Sequence, residues 1–366
     1  MSVWRGEALT MEIWGASHDP AIGLRLTGLP AGEKFSLSLL QAFLDRRTPG
    51  RSPLTTARRE SDEPEFTEGL EMLPAAGRAA AERNVADAAA GRRVPKDAET
   101  ADEVVLTGAP LAALIRNRDA RSGDYEALRT VPRPGHADYA AWGKYQLTEL
   151  PAGGGAFSGR LTAPYCVGGG IALQLLARRG IRVESRLLAV GGETRPEAFA
   201  EAVAAARAEE DSLGGLVEVR VTGLPIGLGG PLFQGLEGRL ALLLFAIPGI
   251  KGVEFGEGFA AAKLKGSENN DPYRIGEAGL PELLSNHAGG ILGGISDGMP
   301  LVLRIAVKPT PSIGRPQKSV DLRKMTDCEL RIAGRHDACI ALRVLPVAEA
   351  AAALGILDAM KEEGRL

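Results

Sequence analysis

Strand-like and helix-like segments follow one another in this chain without the regular βα alternation of a doubly wound sheet, and that places it in the α+β class. Residues 2–32 read as short apolar strands broken by Gly and Pro. From Ser36, apolar residues at 37, 40, 43 and 44 keep the helical period, with Ser36 as N-cap and Pro49-Gly50 as the stop. This helix delivers Arg46 and Arg47 at its C-terminal end, where cations suit the helix dipole. Ala-rich helices are predicted over 164–179 and 196–210, a buried helix over 236–246 that stops at Pro248-Gly249, and a last helix from about 346 to 361. Alternation over 216–222 and 301–307 predicts strands. Residues 74–103 are Ala/Arg/Glu-rich without large apolar side chains and read as a solvated helical insertion.

At 366 residues, one large domain of mixed helices and antiparallel sheets accommodates the whole chain, 1–366. Lys and Arg number 43 against 46 Asp and Glu, a net charge of −3 that argues against general nucleic-acid binding. The balance of 45% hydrophobic and 24% charged residues excludes disorder and collagen. The longest apolar stretch, 240–247, is far short of a bilayer span. The amino end shows no basic segment followed by an apolar run, so a cytoplasmic protein is expected. Cys166, Cys328 and Cys339 are too few and too scattered for a disulfide framework or a zinc site.

The common nucleotide and hydrolase signatures are missing. There is no Gly-x-Gly-x-x-Gly, no Walker loop and no His-Glu-x-x-His. Ser17-His18-Asp19 is not a triad, because neighbouring side chains diverge.

What remains is a set of polar constellations. Arg46, Arg47, Arg51, Arg58 and Arg59 put five guanidinium groups within 14 residues. Such a cluster repels itself unless an anion sits among its members, and guanidinium forks match phosphate and carboxylate oxygens bidentately. The plainer reading is a solvated loop neutralised by acids such as Glu60 and Asp62. All four histidines, His18, His136, His287 and His336, lie in Gly-rich or polar loops, where general acid/base work is the natural suspicion and ordinary hydrogen bonding the plain one. Glycine supplies 47 residues, and its runs at 153–155 and 289–294 serve either as tight turns or as close backbone approach to a flat or anionic ligand.

Taken in order, the segments Gly15-Ala-Ser-His18, Leu44-Asp-Arg-Arg-Thr-Pro-Gly50, Thr55-Thr-Ala-Arg-Arg-Glu60 and Arg121-Ser-Gly-Asp-Tyr125 form one half of a pattern. Arg133-Pro-Gly-His-Ala-Asp138, Lys251-Gly-Val-Glu254, the run from Ser285 to Ser296, Lys308-Pro-Thr310 and Gly334-Arg-His-Asp337 form the other. This order resembles the chorismate synthase family from near residue 1 to about 360. The resemblance implies conversion of 5-enolpyruvylshikimate 3-phosphate to chorismate and phosphate with reduced FMN, in a homotetramer served by an external flavin reductase. It also carries the family's association with NADP, although no nicotinamide fingerprint is present. By resemblance, His18 protonates the leaving phosphate, His136 keeps the reduced flavin in its working protonation state, and Asp337 assists hydrogen removal near flavin N5. Substrate contacts are implied for Ser17, Arg46, Arg47, Arg51, Ser158 and Arg160. Cofactor contacts are implied for Pro248, Gly249, Gly293, Lys308, Pro309, Thr310, Pro311, Ser312 and Arg335. The chain departs from the family pattern at Ala16, Asp19, Pro53, Ala156, Phe157 and Leu161. These departures leave one alternative open, a catalytically idle relative that binds flavin or a phosphorylated metabolite.

Overall fold

The computed structural model describes residues 1–48, 62–72, 102–117, 129–332 and 337–366. Its amino-terminal strands are β1 (Ser2–Arg5), β2 (Thr10–Trp14), β3 (Ala21–Thr27), β4 (Lys34–Ser36), β5 (Glu65–Glu68), β6 (Leu70–Met72), β7 (Glu103–Leu106) and β8 (Leu111–Arg116). They form an antiparallel sheet in the order β1-β2-β3-β8-β5 and a smaller one in the order β4-β7-β6. In β3, Ile22, Leu24 and Leu26 are buried while Arg25 and Thr27 face outward, the period-two pattern of a sheet with one covered face.

The carboxyl-terminal half builds a second antiparallel sheet from β9 (Arg182–Val190), β10 (Gly215–Thr222), β11 (Ile250–Phe255) and a later strand. Three short hairpins complete the strand list: β12 (Tyr273–Ile275) with β13 (Pro281–Leu283), β14 (Ile291–Leu292) with β15 (Ile295–Ser296), and, after β16 (Leu301–Val307), β17 (Gln317–Asp321) with β18 (Thr326–Leu330). The second sheet runs β11-β16-β10-β9.

Helices fill the space between the two large sheets. The α-helices of eight residues or more among the described residues are α1 (Leu37–Arg47), α2 (Asp138–Tyr145), α3 (Thr162–Arg178), α4 (Phe199–Ala208), α5 (Leu236–Phe245) and α6 (Ala341–Glu362). α3 packs on β2, β3, β4 and β8 from one side and on α6 from the other, while α6 also lies on β9 and β10. Both helices are apolar around most of their circumference, as a helix enclosed on every side must be. Their closeness has a cause in sequence: a Cβ placed on Gly169 would lie 2.1 Å from the Ala350 Cβ and 2.4 Å from its Cα. Two buried carboxylates on α6 are both satisfied. Glu349 takes a bidentate pair from Arg46 and a bond from Ser185 Oγ, and Asp358 accepts the backbone N–H groups of Glu7, Ala8 and Leu9.

Two boundaries differ from the sequence pattern. α6 begins at Ala341, so Pro346 stands inside the helix and not at its start. Burial of Ala341 and Val344 against the core outweighs the amide hydrogen bond that proline forfeits. Asp102 and Glu103, read as the end of a solvated excursion, belong to the packed structure. Asp102 accepts from Ser36 Oγ at 2.9 Å and from the Ser38 N–H at the α1 N-terminus, and Glu103 opens β7 and pairs with Arg178. The rest of the predicted insertion, 74–101, lies outside the described residues.

The α3–α6 crossing gives a direct stability test. Gly169→Val is expected to cost about 3 kcal/mol, the upper end for overpacking, since the neighbour it meets is backbone as well as side chain. Gly143→Ala, in α2 with open space at its Cβ, is expected to stabilise by about 0.5–1 kcal/mol. Urea unfolding midpoints of the two variants check both signs.

Candidate active site

The site begins with a kinked turn over Ala152–Phe157, where Gly153, Gly154 and Gly155 have φ of 61°, 87° and 54°. These left-handed conformations and the absence of side chains let other groups approach the backbone closely. A Cβ on Gly153 would lie 2.2 Å from His18 Cε1 and 2.9 Å from Ser17 Oγ. A Cβ on Gly154 would lie 2.8 Å from His136 Cε1 and 2.9 Å from its Nε2. The two histidines, 118 positions apart in the chain, therefore sit on successive residues of one turn. The Ser17 N–H donates to the Gly155 carbonyl at 3.4 Å and Ser17 Oγ to the Ala152 carbonyl at 3.3 Å, fastening the His18 loop to the turn. Ser17 Oγ is also 3.1 Å from His18 Nδ1.

His136 is held from behind. Its Nδ1 lies 2.6 Å from Asp138 Oδ1, and Asp138 takes Arg133 Nε at 2.7 Å and Nη2 at 2.9 Å in a bidentate fork. The Arg133 N–H adds a fourth bond to the same carboxylate at 3.1 Å. Burial alone would raise the Asp138 carboxyl, but hydrogen bonds from Arg133 and His136 outweigh it and hold the group well below the usual carboxylate range. An ionised Asp138 accepts a hydrogen bond from Nδ1–H, which fixes the imidazole tautomer and turns Nε2 toward Gly154.

A second buried network carries the arginines. Arg47 is 1% exposed and directs Nε to Asp62 Oδ2 at 2.9 Å and Nη1 to Thr162 Oγ1 at 3.1 Å. Arg160 binds the other oxygen of Asp62 and sends Nε to Asn117 Oδ1 at 3.0 Å. Asn117 Nδ2 in turn donates to the carbonyl of Asp19 at 2.7 Å, so this network is tied to the His18 loop. Desolvation opposes the charge on Asp62, and the two guanidiniums overcome it and lower its pKa. One carboxylate is shared by two guanidiniums, and forks aligned in this way match the oxygens of an anionic ligand. Asp62 is thus the neutralising acid of the plain reading, but in a buried network and not a solvated loop. Ser158 Oγ accepts from the Arg160 N–H at 3.2 Å and so shapes the turn that carries Arg160.

Asp337 stands just before α6 and receives Arg343 Nη1 on Oδ2 at 2.7 Å; Arg343 Nε donates to the carbonyl of Arg47 at 3.1 Å. Arg46 belongs elsewhere. Adjacent helical residues point about 100° apart, and Arg46 is committed to Glu349 with both nitrogens at 2.7 Å.

The 308–312 segment docks on the His136 loop. Lys308 Nζ donates to the Gly135 carbonyl, Pro311 packs at Gly135, and Ser312 Oγ accepts from Arg133 Nη1 at 3.4 Å. Burial, with Lys251 nearby, lowers the Lys308 pKa. Thr310 Oγ1 is buried with no hydrogen-bond partner among the described residues, an orphan that a phosphate oxygen would satisfy. Gly249 joins this group through its carbonyl, which accepts the Lys308 N–H at 2.9 Å, whereas the neighbouring Pro248 offers no donor. Pro309 is exposed beside them. Gly293 is not brought here. It lies in the β14–β15 turn, and that hairpin abuts the Leu301 end of β16 while Lys308 follows the Val307 end. Arg51, Pro53, Arg58, Arg59, Arg335 and His336 lie outside the described residues.

Residues 9–81 and 100–361 match the family model for chorismate synthase. The chain belongs to the chorismate synthase family. Members are lyases of the shikimate pathway, and this chain resembles several over nearly its whole length. It is 41% identical to the chorismate synthase of Methanosarcina barkeri over 383 aligned positions, covering 98% of this chain and 96% of that protein. It is 38% identical to that of Korarchaeum cryptofilum, covering 96% of each. A crystal structure of chorismate synthase shares the fold, with a TM-score of 0.70 at 23% identity over 98% of this chain and 93% of that one.

The depressed Asp138 carboxyl sets a pH test. A group whose folded pKa lies below its unfolded value of about 3.9 stabilises above that pH, and the contribution fades as pH falls toward the folded value. Asp138→Asn is therefore expected to be less stable than the parent at neutral pH, with the gap closing below about pH 4. Denaturant titrations from neutral to acid pH check it; a gap of constant size contradicts the assignment.

Proposed function

We propose that this chain converts 5-enolpyruvylshikimate 3-phosphate to chorismate in a 1,4-trans elimination, breaking C3–O and C6–H and releasing phosphate with no net redox change. The observation that carries the reading is the seating of two imidazoles on one glycine turn beside a pair of guanidiniums that share a single carboxylate. Reduced FMN, when bound, supplies an electron that weakens the C–O bond and recovers it as the hydrogen leaves. Lys308, Thr310, Ser312 and Gly249 would hold that cofactor, with the orphaned Thr310 hydroxyl and the lysine suited to its phosphate.

Arg47 and Arg160 hold the anionic substrate, their forks kept aligned by Asp62. His18, with Ser17 at its Nδ1, delivers a proton to the departing phosphate, where negative charge develops. His136 keeps its Nδ1–H donated to the ionised Asp138 and holds Nε2 against the Gly154 turn. Asp337 assists loss of the C6 hydrogen. The idle-relative alternative draws on the departures at Ala156 and Leu161, the latter packed against the core.

We further propose a cytoplasmic homotetramer supplied by a separate flavin reductase. Leu232, Phe233 and Phe259 are 87%, 98% and 81% exposed, apolar surface of the kind that a second copy covers. Among the described residues no helix is long and apolar enough to cross a membrane.

An anaerobic assay with reduced FMN tests the activity. Chorismate and phosphate are expected in equal amounts, with kcat reduced roughly 10²–10⁴-fold in His18→Ala and in His136→Ala. Quenching of oxidised FMN fluorescence should show that His18→Ala still binds the cofactor. Binding without turnover in the parent protein would establish the idle relative instead.

A further inference from the structure

We propose that Arg343 is a positioning residue for this reaction, fixing the Asp337 carboxylate relative to the end of α1 that carries Arg47. The inference rests on the reading of Asp337 and Arg47 given above. Arg343 reaches two targets with different edges of its guanidinium, Nη1 to Asp337 Oδ2 at 2.7 Å and Nε to the carbonyl of Arg47 at 3.1 Å. The second target is one of the last carbonyls of α1, which have no partner within the helix. A single rigid plane thereby ties the C-terminus of α1 to the segment entering α6.

The placement is a poor one for folding alone. Arg343 lies in the first turn of α6, where the helix dipole disfavours a cation. Its side chain is only 24% exposed, and burial, with Arg47 close by, lowers its pKa against the pull of Asp337. An exposed lysine or a neutral side chain would serve α6 better. Only a guanidinium supplies two donors in fixed directions to a carboxylate and a carbonyl at once. The consequence is geometric: the carboxylate that assists hydrogen removal and the arginine that grips the substrate keep one spacing. An error of about 1 Å in such a spacing costs rate far more than affinity.

The test uses the complete chain with reduced FMN and compares the parent, Arg343→Lys, Arg343→Gln, Asp337→Asn and the two double variants. Arg343→Lys retains the charge but loses the fork, and kcat is expected to fall about 100-fold. KM, and the substrate affinity measured by calorimetry with oxidised FMN, should stay within about threefold. Deuterium at C6 should slow Arg343→Lys more than it slows the parent. Each double variant should be no slower than Asp337→Asn alone, because a residue acting through another adds nothing once that other is gone. If Arg343→Gln does not fold, the Arg343→Lys pair completes the comparison. The proposal is overturned if Arg343→Lys keeps the parent's kcat, if its loss lies in substrate affinity, or if the single penalties multiply in the doubles. An inactive parent or a fully active Asp337→Asn would strike the underlying reading instead, which the same data set distinguishes.

Discussion

Everything at the site depends on a stretch of backbone with no side chains, held in left-handed conformations between two imidazoles. Gly153 and Gly154 permit this because a Cβ at either would collide with His18 or His136. The fold brings three distant segments together around that turn, which itself precedes α3: the loop after β2, the loop before α2, and the segment after β16 that docks on the latter loop. Each is anchored on one of the two large sheets or on the helices between them, so the spacing of the histidines is set by the packed layers and not by the loops themselves.

Charge is handled by the same logic. Arg47, Arg133, Arg160 and Arg343 are all buried or half-buried, and each is matched to a carboxylate: Asp62 serves two of them, Asp138 one and Asp337 one. Among the described residues, these four guanidiniums and three carboxylates form closely paired, solvent-shielded networks. Guanidinium forks held in fixed directions by carboxylates match the oxygens of a multiply charged anion. The shared carboxylate of Asp62 is the clearest case, since one group aligns both forks.

Much of this was legible in the sequence where the signal is local. The Ser36 cap, the period of α1, the alternation of β10 and β16 and the apolar helix α5 all rest on neighbours within a few residues, and the structure has them where the pattern puts them. β9 is less visible because the polar Ser185 occupies its inward face and the bulge opposite Leu216 and Val217 shifts its alternation. The family motifs pointed to His18, His136, Arg47 and Arg160, and the sequence also offered Asp138 and Asp62 nearby, but not the remaining supports. Asn117, Thr162 and Arg343 act through partners tens to hundreds of residues away, and no spacing rule reaches that far. Arg46 and Arg47 are indistinguishable as a dipeptide; only the helix surface decides that one meets Glu349 and the other Asp62. Gly293 illustrates the converse, since a motif residue sits at the far end of β16 from the turn with which it was grouped.

The chain contains only four histidines, so their imidazole Cε1 signals in a selectively labelled sample are few enough to follow individually. Titrating oxidised, FMN-loaded protein with 5-enolpyruvylshikimate 3-phosphate asks whether His18 and His136 face one ligand. The expected result is that both signals move together over the same concentration range, while that of His287 stays in place. Movement of one without the other, or of neither at saturation, would mean that the two rings do not share a cavity and would contradict the account at its base.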